Sequence, residues 1–364
     1  MKRGSHAFLL FACLVSLTFI LPGLFAQPVG KEAWFYKILA RKNVQCELCP
    51  RFCVISPGKR GYCRVRQNQD GKLIALSFGK PVAVHVDPIE KKPLFHFLPA
   101  TRAFSAATAG CNLNCKFCQN WEISQRGPEE LNYEPLSPEE LVGRAKAQSS
   151  PTIAFTYTEP TVFYEYMLET AQKAHEQGVR TCMHSNGYIN EQPLRNLAKY
   201  LDAANIDLKG FSSEYYAKMC EGSLEPVVRA LKVLKEEGVH VEITNLIIAG
   251  YNDDMAVIRK MCSWIKDNLG PDTPLHFSRA YPMYKLPGII PTPVKTLEQA
   301  RATALDCGLN YVYIGNVPGH EAENTVCPTC KKVVIRRAGY MVEEIHIKDG
   351  NCEFCGFPIK GVWQ

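Results

Sequence analysis

Between Phe104 and Ile314, short apolar runs of strand type alternate with amphipathic helical patterns, and this alternation limits the fold more than any other feature of the chain. The expected strands are Phe104–Ala107, Ile153–Thr156, Thr181–Ser185, Asn205–Leu208, His240–Leu246, Leu275–Ser278 and Tyr311–Ile314. The spacing predicts helices near Val162–Glu176, Gln192–Tyr200, Pro226–Glu237, Met255–Asn268 and Leu297–Cys307, and another that starts at Ser137-Pro138-Glu139-Glu140. That last start has a serine N-cap, proline at the first helical position and glutamate where a capping box needs it. Thr296 and Gln299 offer a second capping box. Strand and helix in regular alternation over about two hundred residues require a parallel sheet. An open doubly wound sheet and a (β/α) barrel both satisfy the pattern. In either, ligands collect at the C-terminal ends of the strands.

Three cysteines, Cys111, Cys115 and Cys118, follow the first of these strands in the run Gly110-Cys-Asn-Leu-Asn-Cys-Lys-Phe-Cys-Gln-Asn-Trp121. A cubane iron–sulfur cluster takes one thiolate per iron, four in all. A local trio supplies three and leaves one iron open for a reactant. The spacing therefore points to a catalytic cluster.

The chain carries 16 cysteines, and their grouping is more informative than their number. Besides the trio, Cys46, Cys49, Cys53 and Cys63 form one quartet and Cys327, Cys330, Cys352 and Cys355 another. Repeated two-residue gaps suit metal ligation better than a disulfide framework, which belongs to short secreted chains. The C-terminal quartet, two Cys-x2-Cys pairs separated by a stretch with strand-like Val333–Arg336 and Glu343–Ile347, reads as a zinc ribbon. The N-terminal quartet lies in a turn-rich segment that holds little core and would be stabilised by a metal. Its spacing leaves zinc and an auxiliary iron–sulfur cluster both open. The scattered Cys13, Cys182, Cys220, Cys262 and Cys307 read as inert buried thiols. The formal net charge of +6 is mild, so no nucleic-acid partner is expected.

Lys2 and Arg3 precede an apolar run from Ala7 to Phe25, broken by Pro22-Gly23. This reads as a signal peptide or a membrane anchor over residues 1–26, with membrane association through that segment. A reduced cluster favours a catalytic domain facing the cytoplasm. Behind the leader, the expected units are a Cys-rich extension (30–95), a core (96–317) and a zinc-ribbon-like module (320–364).

The run Cys111–Trp121, with Phe117 just before the last cysteine, resembles the signature of the radical S-adenosylmethionine (SAM) superfamily. Within it the chain is similar to the pyruvate formate-lyase activating enzyme group, and more closely to the radical SAM enzyme of the AmmeMemoRadiSam system. The likeness runs through Cys46-Glu-Leu-Cys-Pro-Arg-Phe-Cys53, Asp87-Pro-Ile-Glu-Lys-Lys-Pro93, Thr156-Tyr-Thr-Glu-Pro160, Asp207-Leu-Lys-Gly210 and Gly361-Val-Trp363. It spans residues 32 to 363.

The resemblance implies a partial (β/α)6 barrel, a [4Fe–4S] cluster on Cys111, Cys115 and Cys118, and SAM on the open iron. Reduction of the cluster would cleave SAM to methionine and a 5′-deoxyadenosyl radical, which takes hydrogen from a substrate. Glu159 would meet the methionine ammonium, although Tyr157-Thr158 stands where the superfamily has two glycines. Ser185-Asn186-Gly187 resembles a SAM-contacting Thr-Asn-Gly, and an ordinary turn explains it equally well. Asp207 and Lys209 would serve the carboxylate and sulfonium. His276 matches a histidine near SAM, although a lone histidine in a strand is more often a satisfied core residue, with Asn245 and Asn316 as lesser candidates. Lys91-Lys92 reads as a solvated face, and Tyr281, Tyr284 and Tyr311 as strand-end packing. The implied partners are a one-electron donor of reduced flavodoxin or ferredoxin type, and a protein substrate or a Memo-like protein. The rival to this oxidoreductase reading is a non-enzymatic scaffold with all its clustered cysteines closed on zinc. Within the enzyme reading, a glycyl-radical activase is the narrower alternative.

Overall fold

A computed structural model describes Met1 and residues 30–364. The expected leader therefore lies outside the described residues, among which no helix is long and apolar enough to cross a membrane.

The central sheet has eight strands: β1 (Ala83–Pro88), β2 (Arg102–Ala107), β3 (Thr152–Phe155), β4 (Arg180–Ser185), β5 (Ala203–Asp207), β6 (His240–Ile247), β7 (Leu275–Arg279) and β8 (Val312–Gly315). They lie side by side in chain order, β8 at one edge and β1 at the other. β2 to β8 are all parallel, and β1 joins β2 antiparallel. Six helices connect the parallel strands: α1 (Pro138–Ala147), α2 (Tyr164–Glu176), α3 (Glu191–Ala198), α4 (Glu225–Glu236), α5 (Met255–Leu269) and α6 (Val294–Asp306).

The strand order decides what periodicity left open. A doubly wound sheet reverses its order at a switch point, whereas this order never reverses. Right-handed crossovers in one direction place every helix on the same face and curl the sheet as in a (β/α) barrel. The strands are buried almost throughout, as expected of parallel strands covered on both faces.

Local signals set most helix ends. Ser137 Oγ accepts from the Glu140 amide at 3.2 Å, and the Glu140 carboxylate accepts from the Ser137 amide at 2.7 Å, closing the expected capping box. The second box does not form. α6 begins at Val294 after Pro293, which places Thr296 inside its first turn. Pro293 stands at the N-cap with an extended ψ of 137°, and its side chain makes no cap hydrogen bond.

The N-terminal extension forms two small three-stranded sheets. It is anchored to α2 by an ion pair between Arg66 and Glu165 at 2.6 Å, both essentially inaccessible. At the other end, Val333–Ala338 pairs antiparallel with Met341–Ile345. That module shares an apolar cluster with the barrel through Phe95, Tyr311, Tyr313, Val334 and Ile359. Val362 exchanges backbone hydrogen bonds with His96 and Leu98 at 2.7 Å each, so the end of the chain is tied to the start of the barrel.

Candidate functional site

A cavity of about 460 Å³ opens at the C-terminal ends of the strands. Cys111, Cys115 and Cys118 line it on one side. Glu159, His184, Asn186, Asp207 and Lys209 line it on the other.

The trio loop is held by its backbone. Gly110 has φ +96°, and a Cβ there would stand 2.7 Å from the Cys63 carbonyl oxygen. Only glycine fits a positive φ at so close an approach. The amides of Asn114 and Lys116 donate to the carbonyls of Cys220 and Met219 at 3.1 and 2.9 Å. Asn112 Nδ2 donates to the Tyr188 carbonyl at 2.7 Å, and Gln125 Nε2 to that of Leu113 at 3.1 Å. Burial and the Glu159 charge push the Cys111 thiol well above the usual range, and burial raises Cys118. Cys115 goes the other way, because the Cys220 thiol hydrogen-bonds to it. Thiols held protonated by burial become ligands when a cation replaces the proton.

Cys220 is a residue that sequence reading took as inert. Chain spacing gave no sign of it, because its contact with Cys115 arises from the pairing of residues 219–220 with the trio loop. Two neighbouring thiols share one corner of a site. They do not supply two separate irons, each of which takes its own thiolate.

The sulfur spacing tests what each cysteine group fits. Among the described residues, only Cys327, Cys330, Cys352 and Cys355 form a group of three or more candidate ligands whose donor atoms all lie within 4.8 Å of one another. Their Sγ atoms are 3.7 Å (Cys327–Cys355) and 3.8 Å (Cys330–Cys352) apart. Sulfurs held at about 2.3 Å around one tetrahedral zinc stand about 3.8 Å apart. The C-terminal quartet therefore fits a single ion, and the trio is more widely spaced, as ligands on separate irons must be. The fifteen cysteines of the described residues are all free, in keeping with metal ligation over a disulfide framework.

Opposite the trio, Glu159 lies buried in the loop four residues past the end of β3, where it caps a short helical turn at Pro160–Phe163. Its Oε1 accepts from the Thr161 amide at 2.9 Å and the Ser185 hydroxyl at 2.7 Å, and its Oε2 from the Asn186 amide at 2.8 Å. Burial raises its pKa above the ordinary carboxylate value, and these hydrogen bonds work against that rise. A carboxylate has about four acceptor positions, so Oε2 keeps one more. Asn186 Nδ2 points to Asn112 Oδ1 at 2.9 Å and to Cys111 Sγ at 3.7 Å, linking this wall to the trio.

Ser185 and Gly187 do not line the cavity; they position Asn186. Ser185 Oγ accepts from the Gly187 amide at 3.1 Å. Gly187 has φ +67°, and a Cβ there would be 2.9 Å from Ile206 Cγ2. The Ser-Asn-Gly run is thus a turn and a cavity wall at once.

Asp207 ends β5, and Lys209 follows two residues later. Asp207 Oδ2 meets Lys209 Nζ at 2.9 Å and Oδ1 meets His184 Nε2 at 3.0 Å. Burial alone would raise the Asp207 pKa, but Lys209 and His184 hold it well below the usual range. Burial likewise opposes the charge on Lys209, and Asp207 with the neighbouring thiols raises its pKa well above the ordinary value. His184 went unnoticed in the sequence. It lies two residues before Asn186, so strand alternation puts both on one face.

Tyr157 settles the backbone at the missing glycines. Its φ is +62°, the left-handed region that a glycine would supply. A tyrosine held there costs about 1–3 kcal/mol, which its contacts must offset. Its hydroxyl donates to Asp87, the Lys92 ammonium sits 4.4 Å from its ring centre, and His85 packs edge-on at 5.7 Å. Lys92 is no solvated residue. It is 2 % exposed and pairs with Asp87 at 2.6 Å, while Lys91 pairs with the same carboxylate at 2.9 Å and stays half exposed. Both lysines line the cavity.

His276 does not line the cavity. It is buried lower in the barrel, where its Nε2 meets Glu242 at 2.7 Å and its ring packs on Phe95 and Tyr313. Glu242 also accepts from the amides of Phe95 and His96 and from His240, so these histidines satisfy a buried carboxylate. His276 lies two residues before Ser278, the β7 residue that reaches the cavity. Asn245 is also outside, donating to the Leu208 carbonyl at 2.6 Å. Asn316 lines the rim, as does Tyr340 from the C-terminal module, which sequence patterns had not suggested. Tyr284 stacks on Trp121 at 5.2 Å beside the trio loop.

Comparison with known proteins agrees with this geometry. A family model described as the radical SAM superfamily matches residues 106–265. An uncharacterized protein of Methanocaldococcus jannaschii is 47% identical over 331 residues, covering 90% of this chain and 98% of that protein. Pyruvate formate-lyase-activating enzyme of Clostridium pasteurianum is 26% identical over 164 residues, 43% of this chain and 67% of that enzyme. The (2S)-3-sulfopropanediol dehydratase activating enzyme of Klebsiella oxytoca is 26% identical over 112 residues, 31% of this chain and 35% of that enzyme.

Proposed function

The chain belongs to the radical SAM superfamily, a family of enzymes that implies a [4Fe–4S] cluster and SAM, and from that premise we propose that it generates a substrate radical in the cavity at the strand ends. Cys111, Cys115 and Cys118 would hold the cluster, whose reduction supplies the electron that splits SAM into methionine and a 5′-deoxyadenosyl radical. The observation that carries this reading is the facing arrangement of the trio and the Glu159–Asn186–Asp207–Lys209 wall in one cavity.

This chain's own residues bind, orient and exclude water. Glu159 uses three acceptor positions to fix Thr161, Ser185 and Asn186 and keeps one on Oε2, suited to an ammonium group. Lys209, held charged by Asp207, offers a cation to a carboxylate. Asn186 fixes the distance between that wall and Cys111 through its amide. Buried Cys115 and its apolar neighbours Leu113 and Phe117 keep water from that side of the reacting region. The C-terminal quartet would hold zinc in a closed structural site, since its sulfur spacing is that of one tetrahedral ion. A scaffold with every cysteine group closed on zinc is disfavoured, because neither the trio nor the N-terminal quartet has that spacing.

The relatives named as activating enzymes support a narrower role, action on a protein substrate, for which a one-electron donor of flavodoxin or ferredoxin type would be the partner. Anaerobic reconstitution with iron and sulfide, followed by reduction in the presence of SAM, should yield 5′-deoxyadenosine. Cys115→Ala should abolish that product, and its persistence would sink the proposal. With a deuterated candidate substrate, label should appear in 5′-deoxyadenosine.

A further inference from the structure

We propose that Cys46, Cys49, Cys53 and Cys63 hold a second [4Fe–4S] cluster, closed by four thiolates and packed against the loop that carries the first trio.

All four are free thiols, and all four line one small cavity together with Leu48, Ile55, Val162 and two arginines. The local chain turns them inward. Cys46 lies on a strand whose amide donates to the Cys53 carbonyl at 3.0 Å, and the Phe52 amide donates to the Cys49 carbonyl at 3.2 Å, closing a tight turn between them. Phe52 has φ +44° at that turn. Gly61 lies alongside, where a Cβ would come within 3.7 Å of Cys53 Sγ and 3.2 Å of Ile55 Cδ1.

The spacing excludes a single small ion. No three of these four sulfurs lie within 4.8 Å of one another, whereas the C-terminal quartet of this same chain is drawn together at 3.7 and 3.8 Å. Sulfurs arranged around a shared cavity but held apart surround a body larger than one metal ion. A cubane, with each thiolate on its own iron, is such a body.

A second, independent observation points into the same cavity. Arg66 is 2 % exposed and lines it. Its Nη2 donates to Glu165 at 2.6 Å and to the Trp34 carbonyl at 3.0 Å, while its Nε–H has no acceptor. A buried donor left unpaired costs about 1–3 kcal/mol, so native structures rarely leave one. An anionic cluster bearing four thiolates supplies the missing acceptor. Arg51, the other arginine, is fixed by its Nε donating to the Asn112 carbonyl at 2.5 Å and by stacking 3.4 Å from the Tyr62 ring centre.

The location gives the site its use. Asn112 is the neighbour of Cys111 in the chain and also lines the quartet's cavity. Gly110, on the other side of Cys111, lies so near the Cys63 carbonyl oxygen that a Cβ there would stand 2.7 Å from it. The two cysteine loops therefore touch through backbone. Four thiolates leave no iron open to a reactant, so this second cluster carries electrons and does not bind substrate.

Anaerobic reconstitution of the full chain tests the assignment by counting iron, sulfide and zinc. About eight irons and about eight sulfides per chain are expected in the wild type, with about one zinc. The Cys111→Ala/Cys115→Ala/Cys118→Ala variant should keep about four irons and, after reduction, a paramagnetic signal that SAM does not change. The Cys49→Ala/Cys53→Ala variant should keep about four irons with a signal that SAM does change. About two zinc ions per chain, or a trio variant free of iron, would overturn the proposal. If the quartet variant does not fold, the wild-type and trio-variant counts still decide. If SAM changes neither signal while both clusters are present, the radical SAM reading of the trio fails and the second cluster stands.

Discussion

Lys209→Met is the most informative single perturbation, because it removes one charge from a pair that sits in the wall of the cavity. Asp207 and Lys209 meet at 2.9 Å with side-chain exposures of 25% and 15%. Breaking a fully buried pair by removing one partner costs about 3–5 kcal/mol. Partial exposure reduces that, and His184 still faces the other oxygen of Asp207 at 3.0 Å. The expected loss of stability is thus about 2–3 kcal/mol. Most of it is the cost of an uncompensated carboxylate, so adding Asp207→Asn should restore about 1–2 kcal/mol, a coupling that a double-mutant cycle reads directly. The sign of the pH dependence follows from the depressed pKa of Asp207. Its contribution is complete above the unfolded-state value of about 3.9 and is lost as pH falls through the folded-state value. Removing Lys209 raises that folded-state value and moves the acid limb of the stability profile to higher pH. Urea unfolding followed by circular dichroism under anaerobic conditions, at pH 7 and through the acid range, measures all three quantities. SAM affinity, by titration calorimetry on the reconstituted enzyme, should weaken about tenfold, or about 1.4 kcal/mol. A loss below about 0.5 kcal/mol with additive effects would refute the argument that the pair is buried and coupled.

Three further outcomes are expected. Gly187→Ala should destabilise the fold by about 1–3 kcal/mol and weaken SAM binding, because it combines a positive φ with a Cβ 2.9 Å from Ile206; unchanged SAM affinity would show that the turn does not position Asn186. Cys220→Ala should retain both cluster and SAM cleavage within about threefold, less than 1 kcal/mol of barrier, since Cys220 shares the corner of Cys115; loss of iron would show that it is a ligand. His276→Phe should lower stability by about 1–3 kcal/mol, because Glu242 loses one of its buried donors, and should leave SAM cleavage within about threefold; abolished cleavage at unchanged stability would return His276 to the active site.

The parts of the fold legible in the sequence are those set by local periodicity. Every parallel strand from β2 to β8 was visible as a short apolar run, and α1 announced its start through Ser137 and Glu140. β1 was not visible, because Ala83–Pro88 becomes a strand only by pairing antiparallel with β2 across a long connection. Lys92 looked solvated because nothing in its immediate sequence shows that the chain folds it back onto Asp87 and Tyr157. His276 was placed by its resemblance to a histidine near SAM, but a matching place in the strand series does not give the depth along the strand, and in the fold it satisfies Glu242. His184 could have been found from strand alternation, counting back two residues from Asn186.

The sequence by itself determined the ligand chemistry and the class of sheet. Three thiols within eight residues are close enough to share a site, and strands alternating with helices over such a length run parallel. Tertiary structure alone decided how far apart the sulfurs stand, which separates one group spaced for a single ion from two that are wider. It also decided that Tyr157 can hold a glycine's backbone angle, because Asp87, from a different strand and seventy residues away, anchors its hydroxyl. Spacing along the chain determines contacts only within a few residues. The partners that satisfy a buried charge, a strained backbone or a thiol come from chain segments that meet only after folding.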